Sequence, residues 1–219
     1  MLSSKTILKN YFVFRELIKR SANLKIVVLL KQTPDTEAKI SFTNESKSID
    51  KSSIKYIVNP YDEFAIEQAL QMKESSPGGG GEVVVVSFGT DDIKEKILKA
   101  LAMGADRGVQ ISQDGLEDLD SLGTAKVLVS AINKEKPDLV LCGRQGIDED
   151  NMHVGVMVAE LLEWPHVNVV TKMTANGESI TAQREVEGGM VESYEVQLPA
   201  VFGAHKSLNN PRYASLPGI

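Results

Sequence analysis

Residues 24–31 place Ile26, Val27, Val28, Leu29 and Leu30 side by side, a contiguous apolar run that predicts a parallel strand buried on both faces. A polar loop follows, and residues 40–57 are mixed, consistent with a short excursion of weak strands. Asn59 and Pro60 then suit the N-cap and first position of a helix whose apolar face is Phe64, Ala65, Ala69 and Met72. That helix ends before the glycine-rich loop 75–81. A second buried strand spans 82–88, and Asp91 or Asp92 caps a helix carrying Ile93, Ile97, Leu98 and Leu101, with Gly104 as its stop. A short strand at 109–111, a helix over 122–132 and a strand over 138–142 come next. Val156, Ala159 and Leu162 predict a further helix, broken at Trp164-Pro165, and 167–170 read as a strand. This strand–helix alternation predicts a doubly wound α/β fold with a mostly parallel sheet.

The period changes after about residue 171. Residues 179–186 and 190–196 alternate apolar and polar around Glu187, Gly188 and Gly189, which predicts a β-hairpin. One more strand, 200–204, precedes an irregular tail over 205–219. The expected organisation is therefore one nucleotide-binding α/β domain over 24–219, preceded by an extension over 1–23.

That extension differs in charge. It holds five cations and one acid, so a chain of net charge −6 carries −10 beyond it. Ile7, Leu8, Tyr11, Phe12, Phe14 and Leu17 give it an amphipathic look. It reads as a transit segment directing the chain to the mitochondrial matrix, as a contact helix, or as sequence upstream of a true start near Leu24, the last being favoured. Without targeting, the expectation is a cytoplasmic protein. The acidic body argues against a nucleic-acid surface and favours a basic partner. One cysteine excludes an internal disulfide framework, three histidines lack ligand spacing, and no apolar run approaches the roughly 20 residues of a membrane span.

The candidate chemistry lies between the strand at 138–142 and the helix after it, in the stretch CGRQGIDEDNMHVG (142–155). A glycine-containing loop from a strand end to a helix start is where open α/β sheets hold ligands, and a helix N-terminus favours phosphate. Candidate phosphate donors are the backbone N–H groups of residues 151–154 and the side chain of Gln145. Asp148 and Asp150 either cap the helix, expected to start near Asn151, or meet a ribose hydroxyl or an adenine amine. His153 reads as a surface residue and Cys142 as core packing. Asn59 reads first as an N-cap; Tyr61 either stacks on a planar ring or packs. Met190, at a hairpin tip, is a flexible apolar anchor or an ordinary exposed methionine. There is no Gly-x-Gly-x-x-Gly after the first strand, no Walker loop, no Ser-His-Asp set and no acid–base carboxylate pair.

KIVVLLKQ (25–32), VNPYDEFAIE (58–67), ALAMGADR (100–107), CGRQGIDED (142–150), Trp164-Pro165, the Glu187-Gly-Gly189 turn and LNNPRY (208–213) together resemble the β-subunit of electron transfer flavoprotein, across nearly all of 24–219. The resemblance implies a Rossmann-like fold of the adenine-nucleotide α-hydrolase type and an electron carrier without a substrate of its own. It implies a heterodimer with an α-subunit that holds most of one redox-active FAD. Electrons would come from acyl-CoA and related dehydrogenases of fatty-acid β-oxidation and pass to a quinone oxidoreductase. A structural AMP is implied in this subunit, replaced by a second FAD in bifurcating members. The positions mapping to that pocket are Leu29, Asn59, Pro60, Tyr61, Asp62, Phe88, Gly143, Arg144, Gln145, Gly146, Ile147, Asp148, Asp150, Asn151, Met152, His153 and Val154. The partner-recognition loop maps to Glu187, Gly188, Gly189, Met190 and Val191.

The chain departs from that pattern at Met152-His153, where members carry a small residue and then glutamine. It also stops at Ile219, where members continue into an arm around the α-subunit, which implies a truncated sequence or a weaker grip. Two other classes share the scaffold. An ATP-binding sensor resembling universal stress proteins is favoured by the absent arm and opposed by the hairpin. An adenylating enzyme is opposed by the lack of a pyrophosphate loop after the first strand.

Overall fold

The computed structural model describes residues 24–43, 49–117 and 119–215; the expectations for 1–23 and for the end of the tail lie outside these. In chain order the elements are β1 (Lys25–Leu29), β2 (Gln32–Pro34), β3 (Tyr56–Val58), α1 (Pro60–Ser75), β4 (Glu82–Gly89), α2 (Ile93–Met103), β5 (Arg107–Ser112), α3 (Ser121–Glu135), β6 (Leu139–Gly143), α4 (His153–Leu162), β7 (His166–Asn176), β8 (Ser179–Glu185), β9 (Val191–Gln197) and β10 (Ala200–Ala204). Among the described residues, eight strands form one sheet in the order β5-β4-β1-β6-β10-β7-β8-β9. The six from β5 to β7 run parallel, and β8 and β9 add antiparallel strands at one edge. The expected hairpin is thus the continuation of the main sheet rather than an appendage.

The contiguous apolar runs explain the layers. Ile26 and Val28 face α1 and α2, whereas Val27 and Leu29 face α3 and α4, so the central strand is buried on both sides. Burial of each such side chain contributes about 1.5–3 kcal/mol before entropy is counted. Pro60 occupies the first turn of α1, and α2 ends at Gly104, whose φ of 126° favours glycine. The excursion after β1 carries the small β2–β3 ladder and a bridge between Phe42 and Ile49.

Two elements differ from expectation. β7 continues to Asn176, because its first half pairs with β10 and its second half with β8. The change of partner occurs at an irregularity where Val169 takes a φ of 62°, an uncommon conformation for a β-branched residue. The helix after β6 begins at His153, because Asp150 and Met152 adopt left-handed backbone before it.

The topology positions the site. β1 joins through α1 to β4 on one side, and the chain returns through α3 to β6 on the other. The carboxyl ends of β1 and β6 therefore flank the point where strand order reverses, the usual crevice of such sheets.

Candidate functional site

Asp62, in the first turn of α1, lies under this crevice. It is buried, and its carboxylate joins three chain segments: Oδ2 accepts the Lys31 amide at 2.7 Å, and Oδ1 accepts the Gly143 amide at 2.9 Å and the Asn59 side-chain amide at 2.9 Å. Burial pushes the carboxyl up to about 7, against the opposing pull of these donors and of the Lys31 ammonium. Gly143 is required here, since a Cβ would stand 2.3 Å from Asp62 Oδ1 and 2.7 Å from Tyr61 Cβ.

Asn59 occupies the N-cap position of α1, yet its side chain does not cap the helix. Instead Nδ2 also donates to the Gln145 carbonyl at 2.9 Å, and Oδ1 accepts the Ile147 amide at 3.3 Å. The side chain supports the loop from below, because that loop passes directly over the start of α1.

The loop between β6 and α4 is held from above by charge. Lys31 Nζ donates to Asp148 Oδ1 at 2.9 Å and stands 3.7 Å from Glu149. Gln145 donates to Asp150, and the Asp150 amide returns to the Gly146 carbonyl at 3.0 Å. Neither Asp148 nor Asp150 caps α4, because both carboxylates are engaged by these donors; Met152 holds the cap position without a side-chain bond. The Asn151 side chain accepts the His153 amide at 3.3 Å and reaches Ser121 on α3 at 3.4 Å. His153 is exposed, as expected. Tyr61 is half-buried, and the Arg144 guanidinium lies 5.3 Å from its ring centroid.

Leu29 and Phe88 lie on the α3/α4 side, in the cluster that also receives Val154. The structure thus gathers the β1, β4 and β6 ends and the start of α4 on that face. Asn59, Pro60, Tyr61 and Asp62 approach from α1 on the other. Cys142 is buried beneath α4, where Gly155 comes so close that a Cβ would stand 2.7 Å from Sγ. Burial pushes its thiol up to about 12, in keeping with core packing. Two residues escaped the sequence reading. Lys31 follows the first strand at the reversal point, which was the available signal. Arg212 pairs with Glu67 at 2.8 Å and with Glu74 at 2.5 Å. Those acids lie seven apart on one stripe of α1, a spacing that could have been noticed.

A second region lies at the hairpin. The turn Glu187–Gly189 joins β8 to β9, with Gly188 and Gly189 at φ of 76° and 73°, and the Val186 amide donates to the Met190 carbonyl at 2.9 Å. Met190 is 65% exposed, with Val191 beside it. Glu192 accepts Arg184 Nε at 2.8 Å and the Tyr194 hydroxyl at 2.5 Å, bracing the two strands. The tail is latched across α1 by Arg212 and by Asn209, which donates to the Phe64 carbonyl at 3.0 Å, while Tyr213 stands 97% exposed.

A family model described as "Electron transfer flavoprotein domain" matches residues 47–218. The chain is 44% identical over 197 residues to a protein of Syntrophomonas wolfei, covering 90% of this chain and 75% of that one. It is 38% identical over 198 residues to one of Methylophilus methylotrophus, with 90% and 75% covered. To one of Homo sapiens it is 39% identical over 200 residues, with 90% and 77% covered. All three are named electron transfer flavoprotein subunit beta.

Proposed function

The chain belongs to the electron transfer flavoprotein family as a β-subunit, and from that premise we propose that it pairs with an α-subunit to carry electrons on a shared FAD while holding an adenine nucleotide, AMP, in the crevice between β1 and β6. The observation that carries the nucleotide reading is the loop over 143–152, held at the sheet's reversal point and leading into α4. The residues present fit such a ligand. Lys31 and Arg144 supply cations, the start of α4 supplies backbone donors, and Leu29 and Phe88 offer an apolar wall for a base. FAD supplies the one- and two-electron chemistry; this chain's residues bind, orient and exclude water.

Dehydrogenases, acyl-CoA dehydrogenases among them, donate the electrons in this reading, and a quinone oxidoreductase receives them. No helix among the described residues is long and apolar enough to cross a membrane. The hairpin tip at Met190 is the proposed contact with electron-donating partners, supported by its exposure and by the Arg184–Glu192–Tyr194 brace. Met190→Ala is expected to slow electron transfer from a dehydrogenase several-fold with flavin content intact. If Tyr213→Ala slows it and Met190→Ala does not, the contact belongs to the latched tail.

Co-expression with an α-subunit, followed by acid release and identification of the nucleotides, tests the whole reading. One FAD and one AMP per heterodimer is the expected result. Two FAD and no AMP would make the protein a bifurcating carrier, and a lone chain carrying ATP would make it a nucleotide sensor.

A further inference from the structure

Asn59 and Asp62 are 1% and 4% exposed. A carboxylate offers only acceptor sites, and a carboxamide offers two donors and an acceptor. Here both donors and the oxygen of Asn59, and both oxygens of Asp62, are engaged within the chain. Asn59 bonds Asp62, the Gln145 carbonyl and the Ile147 amide, and Asp62 bonds the Lys31 and Gly143 amides besides. Both side chains are thus committed to protein partners, although the family resemblance counts them among the nucleotide contacts.

Their partners have a pattern. Three lie in the stretch 143–147, more than 80 positions away along the chain, and one lies at the end of β1. The pair therefore satisfies the backbone groups that a loop over a buried surface would otherwise leave without partners. A loop held in shape before binding loses less conformational freedom when a ligand arrives.

We propose that Asn59 and Asp62 form a buried cross-brace that sets the shape of residues 143–147, and that they act on the adenine nucleotide through this loop without touching it. They are positioning residues, and the proposal rests on the nucleotide reading above.

The test uses the full chain co-expressed with its α-subunit, stripped of nucleotide and titrated with AMP and with 2′-deoxy-AMP. Asp62→Asn keeps the shape but turns an NH2 group toward a backbone N–H. It is expected to weaken both probes by about tenfold, and by the same factor. Amide hydrogen exchange at Gly143 and Ile147 should accelerate, with β8 and β9 unchanged. If the variant instead loses only its preference for AMP over 2′-deoxy-AMP, the carboxylate touches the ribose and the brace is overturned. Equal affinities in variant and wild type overturn it too. Wild-type protein that binds neither probe overturns the nucleotide reading, and the brace's effect on ligand falls with it. Should Asp62→Asn fail to fold, Asn59→Ser is measured in the same way, since a serine hydroxyl is too short to span Gln145 and Ile147.

Discussion

Asp62 is a carboxylate placed where water cannot reach it. Its carboxyl sits near 7 rather than near its ordinary 3.8, because burial disfavours the anion more than its donors favour it. A raised carboxyl means the folded chain holds a proton that the unfolded chain has released. Stability from this group is full below about pH 4 and is lost as pH rises through about 7. Asp62→Asn should flatten that slope, so denaturant unfolding at about pH 4.5 and 7.5 should find the variant gaining on wild type at the higher value. A weaker hold on nucleotide without lower stability would then separate the brace's positioning role from a merely structural one. Arg212 gives a second test at this scale. Its guanidinium joins Glu67, which is buried, to Glu74, and it holds both carboxyls below their usual range. Arg212→Ala leaves Glu67 buried without its cation and should cost about 2–3 kcal/mol in unfolding experiments.

Among the elements, the strands at the centre of the sheet were the most legible. β1 and β4 are runs of aliphatic residues, and both-face burial demands that composition. β7 was read short because its middle carries the change from a parallel to an antiparallel partner, and no periodicity encodes a partner. The bulge there has a cause visible only in space. Asn168 Oδ1 accepts the Val169 amide at 2.8 Å and fits against Gly203, where a Cβ would collide with it. Val169→Gly should relieve the left-handed strain and change stability by less than about 1 kcal/mol, well below the usual cost of deleting a half-buried valine. Equilibrium unfolding would reveal it. The site followed the same division. The loop after β6 was legible from its glycines and acids as the link from a strand end to a helix start, which the fold sets at the sheet's reversal point. The role of Asn59 was hidden, because the cap reading is local and its real partners, Gln145 and Ile147, come from the other half of the chain.

Across the whole molecule, the two ends of the sheet carry different duties. At the carboxyl end lie the loop and its brace. At the amino end Lys25, Glu82, Arg107 and Glu135 tie β1, β4, β5 and the end of α3 together, with Arg107 and Lys25 holding the Glu135 carboxyl down at about 2. A lowered carboxyl contributes stability above its ordinary 4.5 and loses it as pH falls toward 2. Glu135→Gln should therefore cost about 1–2 kcal/mol near pH 7 and almost nothing near pH 2, with nucleotide binding unaffected. Thermal unfolding across that range is the check.

The close approach of Gly155 to Cys142 gives the protein a built-in reporter. The chain's single thiol is sealed under the first turns of α4, directly beneath the loop. A thiol reagent can reach it only when that helix lifts away from β6 or the chain unfolds. The rate of labelling, followed by a simple colour change, therefore counts the openings of the crevice, and a ligand that closes the crevice should slow the colour in proportion to its occupancy.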